Sequence, residues 1–354
     1  MLMNMMMKCV SRSCQEMRAA VWYGGKDIRI EDVPKPTVSP EEVLVKVKAV
    51  GICGSELHAY EGLSKRRVPP LVMGHEFAGI VEKIGQPTTG IRLGDRVTMQ
   101  PAVPCGICEQ CLSGRMNLCR ARSHVGLDFP GAFADYVKGP SRVFHRIPDS
   151  ISFEEATLAE PLSVGIHAAS VAKIGDGDTV LILGSGVIGL SCLLGARENA
   201  RRILVSDLVG SRLKFAESLG ADAVIDASKV DPVEQVRHIT AGRGVDAVLE
   251  AVGLEKTIAQ AILSAKEGGR VAIVGLLEET ARLNILRIVL KEIQLNGSYG
   301  RTDDDFRKSL TVLERDVSRI RGLITHRFAL DHISRAFETM SREKHSAMKV
   351  VITP

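Results

Sequence analysis

Four cysteines fall within fifteen positions in the stretch CGICEQCLSGRMNLC, residues 105–119. Cys105, Cys108 and Cys111 are each separated by two residues, and Cys119 follows after seven more. Such gaps let one loop wrap a single ion with adjacent thiolates, which suits a tetrahedral four-thiolate zinc site. A closed set of four leaves no position for a substrate, so the spacing predicts a structural metal that pins a loop too polar to pack by itself. A set of free thiols is the plainer alternative, and unshielded clusters of that kind oxidise readily. Redox work would need an exposed pair beside a βαβ unit, and the loop has no such neighbour in sequence.

A second group of metal-ligating residue types is scattered. GICGSELH (51–58) supplies Cys53, Ser55 and His58, GHEFAG (74–79) supplies His75 and Glu76, and AEPLSVGIHA (159–168) supplies Glu160. Each has a plain reading alone: Cys53 as a core thiol, His75 as a satisfied loop histidine, Glu160 as a charge at a helix N-terminus. Together, one thiolate, one imidazole and carboxylates make the mixed shell of a catalytic zinc that keeps a position open.

The third chemical signal is TVLILGSGVIGL (179–190). An apolar strand leads into Gly184-x-Gly186-Val187-Ile188-Gly189, and helical residues follow. A further strand, ILVSDL, ends in Asp207, eighteen residues after Gly189. In that context the glycines read as a dinucleotide turn: Gly184 for the bend, Gly186 for close approach of the pyrophosphate to backbone amides, Gly189 for helix-on-strand packing. Asp207 is expected to accept hydrogen bonds from the adenosine ribose and to repel a 2′-phosphate, so NAD is predicted over NADP. Arg212 is the residue that could accommodate that phosphate instead.

These motifs need a scaffold, and the chain supplies two patterns. Residues 18–150 alternate apolar and polar positions in EVLVKVKAVG (42–51), AGIVEKIG (78–85), DRVTMQ (95–100) and AFADYVKG (132–139), with Gly and Pro between them. From 179 to 298 short apolar strands alternate with helical stretches, the pattern of a doubly wound parallel sheet. Amphipathic helices and a last strand, KVVIT, follow. The length of 354 residues suits two domains, and 45% hydrophobic with 25% charged residues is a globular composition. The net charge is only +4. The basic runs SKRR (64–67) and RENARR (197–202) lack interleaved aromatics and read as solvated surface, which excludes nucleic acid as an expected partner. No apolar run approaches the roughly 20 residues of a membrane span. Residues 1–16, Met-rich, lack the apolar core and cleavage site of a secretory signal and read as a disordered extension. A cytoplasmic, reducing location is expected, where disulfides are disfavoured.

The motifs, in this order, resemble the zinc-containing medium-chain alcohol dehydrogenases, most closely the sorbitol/xylitol (polyol) branch. GHEFAG, the four-cysteine loop, GAFADYV, EPLSVGIHA and GSGVIG carry the resemblance, which extends from Met17 to Pro354. It implies an α/β fold with a GroES-like β-rich catalytic domain (17–163 and 300–354) and a Rossmann NAD-binding domain (164–299). It also implies two zincs per chain. Cys53, His75 and Glu76 become ligands of the catalytic zinc, and Glu160 either binds it or holds a water beside it. Ser55 and His58 become the path by which a substrate proton leaves. Glu56 stands where the family usually has Asp, in support of a ligand histidine. The implied reaction moves hydride from a secondary hydroxyl of a small polyol or diol to NAD and yields a ketone. SYGR (298–301) and ITHRF (324–328) resemble L-threonine 3-dehydrogenase, the alternative along with a general secondary-alcohol dehydrogenase. A non-enzymatic relative would have lost metal ligands, and this chain keeps a full set. The resemblance implies a homodimer or homotetramer, and RLNILRIVLKEI (282–293) is apolar enough for an interface.

Overall fold

The computed structural model describes residues 15–64, 66–88, 90–343 and 345–354. The chain divides into two compact units. One runs to Glu160 and resumes at Leu313–Pro354; the other is Pro161–Val312.

The first unit is built on strands. They are β1 (Glu16–Gly24), β2 (Asp27–Pro34), β3 (Glu42–Gly51), β4 (Leu71–Val72), β5 (Glu76–Ile84), β6 (Arg96–Met99), β7 (Ala102–Val103), β8 (Ser123–His124), β9 (Tyr136–Pro140) and β10 (Phe144–Arg146). The short helices α1 (Gly54–Tyr60), α2 (Glu109–Leu112) and α3 (Phe153–Ala156) interrupt them. Glu16 already belongs to β1, so only residues 1–14 of the expected N-terminal extension lie outside the described residues. The alternation read from EVLVKVKAVG becomes β3, at the centre of the main sheet, where β5 and β9 both pair with it antiparallel. In AFADYVKG only the second half forms a ladder strand; Ala134 makes a lone bridge to Ala19.

The second unit begins along α4 (Ala159–Val171) and alternates strand with helix: β11 (Thr179–Leu183), α5 (Val187–Ala196), β12 (Arg202–Asp207), α6 (Gly210–Leu219), β13 (Ala223–Asp226), α7 (Pro232–Ile239), β14 (Val245–Glu250), α8 (Glu255–Ser264), β15 (Ala265–Ile273), α9 (Ile285–Leu290) and β16 (Gln294–Gly297). All its strand pairs are parallel, in the order β13-β12-β11-β14-β15-β16. β11 is buried at every position, as a central strand covered on both faces must be. The order reverses between β11 and β14, and ligands of such sheets bind beyond the carboxyl ends of the strands at that reversal.

After α10 (Asp303–Ile320) the chain adds β17 (Ile324–Ala329), α11 (Ile333–Arg342) and β18 (Lys349–Thr353) to the first unit. β18 pairs with β3 and β17, so the last strand lies next to the one that leads into α1. KVVIT thus returns to the sheet near GICGSELH, and its first residue, Lys349, is carried into the interior.

Candidate metal and dinucleotide sites

In the 105–119 lobe the four thiols converge. The Cys108 and Cys111 sulfurs are 3.5 Å apart, those of Cys105 and Cys119 also 3.5 Å, and those of Cys105 and Cys111 3.9 Å. A tetrahedron with zinc–sulfur bonds of about 2.3 Å has edges of about 3.8 Å, so this donor set fits zinc. The amides of Ile107 and Cys108 donate to Cys105 and hold its thiol down to about 6, while burial and its thiol neighbours push Cys111 up to about 12. A readily ionised Cys105 beside a protonated Cys111 is a pair that gains by exchanging a proton for a cation. The lobe has little else to fold around: Ile107 and Leu112 are 82% and 77% exposed.

The second set is assembled from three separated segments. Cys53 caps α1, and Glu56 in the first turn reaches back to the Cys53 amide at 3.0 Å, a capping box with a sulfur in the cap position. Glu76 opens β5 and His75 is the residue just before it. Ligand atoms of Cys53, His75 and Glu76 lie within 4.8 Å of one another. Glu160, in the first turn of α4, has its Oε1 4.0 Å from His75 Nε2. Sulfur, imidazole and carboxylate in one cluster, with the sulfur half-buried and the other two buried, suit zinc.

Buried charges surround this cluster. Glu56 is fully buried, and its Oε1 accepts from His75 Nδ1 at 2.7 Å and from the Gly74 amide at 2.8 Å. One carboxylate therefore fixes both the Cys53 and the His75 segments, and the extra methylene relative to Asp does not prevent that reach. Burial raises the Glu56 carboxyl, but His75 and Arg67 outweigh it and hold it below its ordinary value. Burial likewise opposes charge on His75, yet Glu56 and Cys53 hold its proton well above the ordinary range. A pocket that favours a positive charge on His75 also favours a metal cation, which His75 would hold in place of its proton.

Two supporting residues were not foreseen from sequence. Lys349 donates to Glu76 Oε2 and, at 3.2 Å, to the Ile52 carbonyl, within the interior. The signal for it was a lysine opening an otherwise apolar strand. Arg67 corrects the reading of SKRR as solvated surface: it is buried and donates to the carbonyls of Gly126 at 3.0 Å and Ser55 at 2.9 Å. It also donates to Ser55 Oγ at 3.3 Å, while that hydroxyl donates to Cys53 sulfur at 3.4 Å. A buried guanidinium with good acceptors on each side is stable where a solvated one was expected, and a four-residue run shows no such partners. Ser55 is exposed and His58 half-buried, three residues apart on α1 and so on one face.

In the second unit Gly184 closes β11 with φ +91°, and a Cβ on Gly189 would overlap the Gly184 carbonyl oxygen, so α5 can start only with glycine there. Gly186 is the cap of α5, with Val187 and Ile188 half-buried in its first turn. Asp207, the last residue of β12, accepts from the Ser185 amide at 2.6 Å and the Val209 amide at 2.9 Å. Its carboxylate thus stands against the glycine turn. The Arg212 guanidinium reaches the same turn, 3.9 Å from where a Cβ on Gly186 would be. Tyr299 is half-buried and Arg301 buried, just beyond β16. No helix among the described residues is long and apolar enough to cross a membrane.

Comparisons with known proteins bear on both units. Two family models match: Alcohol dehydrogenase GroES-like domain over residues 39–149 and Zinc-binding dehydrogenase over residues 183–315. The chain is 38% identical over 346 residues to a sorbitol dehydrogenase of Bacillus subtilis (strain 168), covering 96% of this chain and 98% of that protein. The crystal structure of 2R,3R-butanediol dehydrogenase from Bacillus subtilis superposes with a TM-score of 0.87 at 32% identity, over 96% of this chain and 99% of that one. A zinc-binding dehydrogenase target from Sinorhizobium meliloti 1021, solved with NADP, gives a TM-score of 0.87 at 32% identity, over 96% and 100%.

Proposed function

The chain belongs to the zinc-binding alcohol dehydrogenases with a GroES-like domain, and from that premise we propose that it oxidises a secondary hydroxyl of a small polyol or vicinal diol to a ketone, with NAD as hydride acceptor. One observation carries the reading: the Cys53–His75–Glu76 donor set, with Cys53 half-buried, His75 and Glu76 buried, and Glu160 beside it. The sorbitol and butanediol names of its relatives point the substrate class the same way. Zinc in that set supplies a Lewis acid that makes a hydroxyl acidic near neutral pH.

The chain's own residues do the rest. Cys53, His75 and Glu76 hold the metal, Glu56 fixes the tautomer of His75 by accepting a hydrogen bond from Nδ1–H, and Lys349 balances Glu76. Ser55 accepts the substrate proton and His58, one turn along α1, passes it to solvent. Cys105, Cys108, Cys111 and Cys119 hold a second zinc with a structural role. Gly184, Gly186, Val187, Ile188 and Gly189 receive the pyrophosphate, and Asp207 the adenosine ribose. Asp207 opposes a 2′-phosphate and Arg212 favours one; Asp207, at the end of β12, sets the preference for NAD. Asp207→Ser should narrow the NAD-over-NADP ratio of kcat/KM by about tenfold, since it removes one like-charge repulsion.

Domain roles follow the same reading: residues 17–163 and 300–354 form the catalytic domain, and 164–299 the NAD-binding domain. The enzyme works in the cytoplasm, where its thiols stay reduced. It assembles as a homodimer or homotetramer, supported by α9, where Ile285, Leu286, Val289 and Leu290 are exposed. The test is a comparison of sorbitol, xylitol, butanediol, 2-butanol and threonine at equal NAD. A matched polyol should exceed 2-butanol by roughly tenfold or more in kcat/KM, because a buried group that recognises a second hydroxyl is left unpaired by a simple alcohol. Threonine leading the series would reassign the substrate to an amino acid; 2-butanol equal to every polyol would remove the polyol pocket.

A further inference from the structure

One buried charge in the second unit takes no part in the chemistry above. Glu250, the last residue of β14, is fully buried. Its Oε1 accepts from the amides of Val252 and Gly253, both at 2.9 Å, and from Thr257 Oγ1 at 2.8 Å. Its Oε2 accepts from the Gly253 amide at 3.1 Å. Both carboxyl oxygens are therefore met by oriented donors, which is how a buried polar group is satisfied.

Those bonds shape residues 251–253. Gly253 has φ +83°, and a Cβ on it would come within 2.7 Å of the Gly275 carbonyl carbon and the Leu277 amide. The Ala251 amide donates to the Leu183 carbonyl at 2.9 Å, and the Glu278 amide to the Gly253 carbonyl at 3.0 Å. At the middle of the turn, Val252 Cγ2 lies 2.7 Å from the place a Cβ on Gly184 would take. Val252 thus rests on the first glycine of the dinucleotide turn, at the ends of the two strands, β11 and β14, between which the sheet order reverses.

We propose that Glu250 is a positioning residue for the dinucleotide: by fixing the 251–253 turn it sets Val252 as the crevice wall on the β14 side of Gly184. The inference rests on the dinucleotide reading above. Asp207 closes the opposite, β12 side, where the adenosine ribose is expected, so the β14 side faces the nicotinamide half of the cofactor. Glu250 touches neither cofactor nor substrate; it acts through the backbone it holds.

The two halves can be probed separately by measuring the affinities of NADH and of ADP-ribose for the zinc-replete protein. Glu250→Ala should weaken NADH by about tenfold or more and change ADP-ribose by less than about twofold. Glu250→Gln, which keeps one carbonyl acceptor, should fall between, and Val252→Ala should show the same split without touching a buried charge. If Glu250→Ala does not fold, Val252→Ala and Glu250→Gln decide the matter. Equal losses for NADH and ADP-ribose would make Glu250 a residue of general stability only, and unchanged NADH affinity would leave it no role at this site; either result overturns the proposal. A wild-type protein that binds ADP-ribose but not NADH also overturns it. One that binds neither ligand removes the dinucleotide reading itself.

Discussion

The two candidate metal-ligating regions of the first unit assemble different donor sets by opposite routes. The 105–119 lobe takes all four sulfurs from one short segment and leaves its apolar residues Ile107 and Leu112 in solvent. The His75 cluster draws on residues 53, 75–76 and 160, and its support comes from still farther away, with Lys349 on the last strand. A site made from one loop can be closed and can hold that loop together. A site made where three segments meet inherits a rigid, buried frame, and its geometry can be tuned by charges outside the donor set. The first arrangement suits stability and the second suits chemistry.

This contrast predicts opposite failures. The largest effect is expected from His75→Ala, which should abolish turnover while shifting the unfolding midpoint by only a few degrees, because Glu56, Lys349 and the surrounding strands remain. Steady-state rates and a thermal melt on the same preparation check this; a variant that loses its fold along with its activity would make the cluster structural too. Next is Cys108→Ser. Structural metal energy is folding energy, so the unfolding midpoint should fall on the order of 10 °C, with kcat retained at temperatures where the protein stays folded. A melt identical to wild type would mean the lobe holds no metal worth folding energy. Smaller is Glu56→Gln, which keeps the shape but removes the charge behind His75. Partners of this kind are worth about 10–100-fold in metal affinity or activity. That loss should appear as zinc released more readily to a chelator, with the lobe's zinc unaffected; a wild-type release rate would show that Glu56 serves packing alone.

The same contrast explains how much could be read from the sequence. The lobe was fully legible, since its donors and their spacing are one continuous string. The dinucleotide turn was legible for the same reason, with strand, glycines and helix in succession and Asp207 at the end of the next strand. The residue types of the His75 cluster were legible in three motifs, but its frame was not. Arg67 looks like any solvated basic residue until Gly126 and Ser55 are brought to it, and Lys349 meets Glu76 only because β18 pairs with β3. Glu250 was missed for a related reason: a glutamate ending an apolar strand reads as a surface charge, and only the fold-back of the Val252 and Gly253 amides makes it interior. Local periodicity carried the strand assignments well in β3 and in β11, whose ladders to β12 and β14 are continuous. It overextended at 132–135, where apolar residues are buried without a ladder.

The most direct test of the two-site account is the zinc content per chain of wild type, Cys108→Ser and His75→Ala, determined on folded, desalted protein. The account predicts two zincs in wild type and one in each variant, the inactive His75→Ala keeping the lobe's metal and the less stable Cys108→Ser keeping the other. One zinc in wild type, or two retained in His75→Ala, would contradict it.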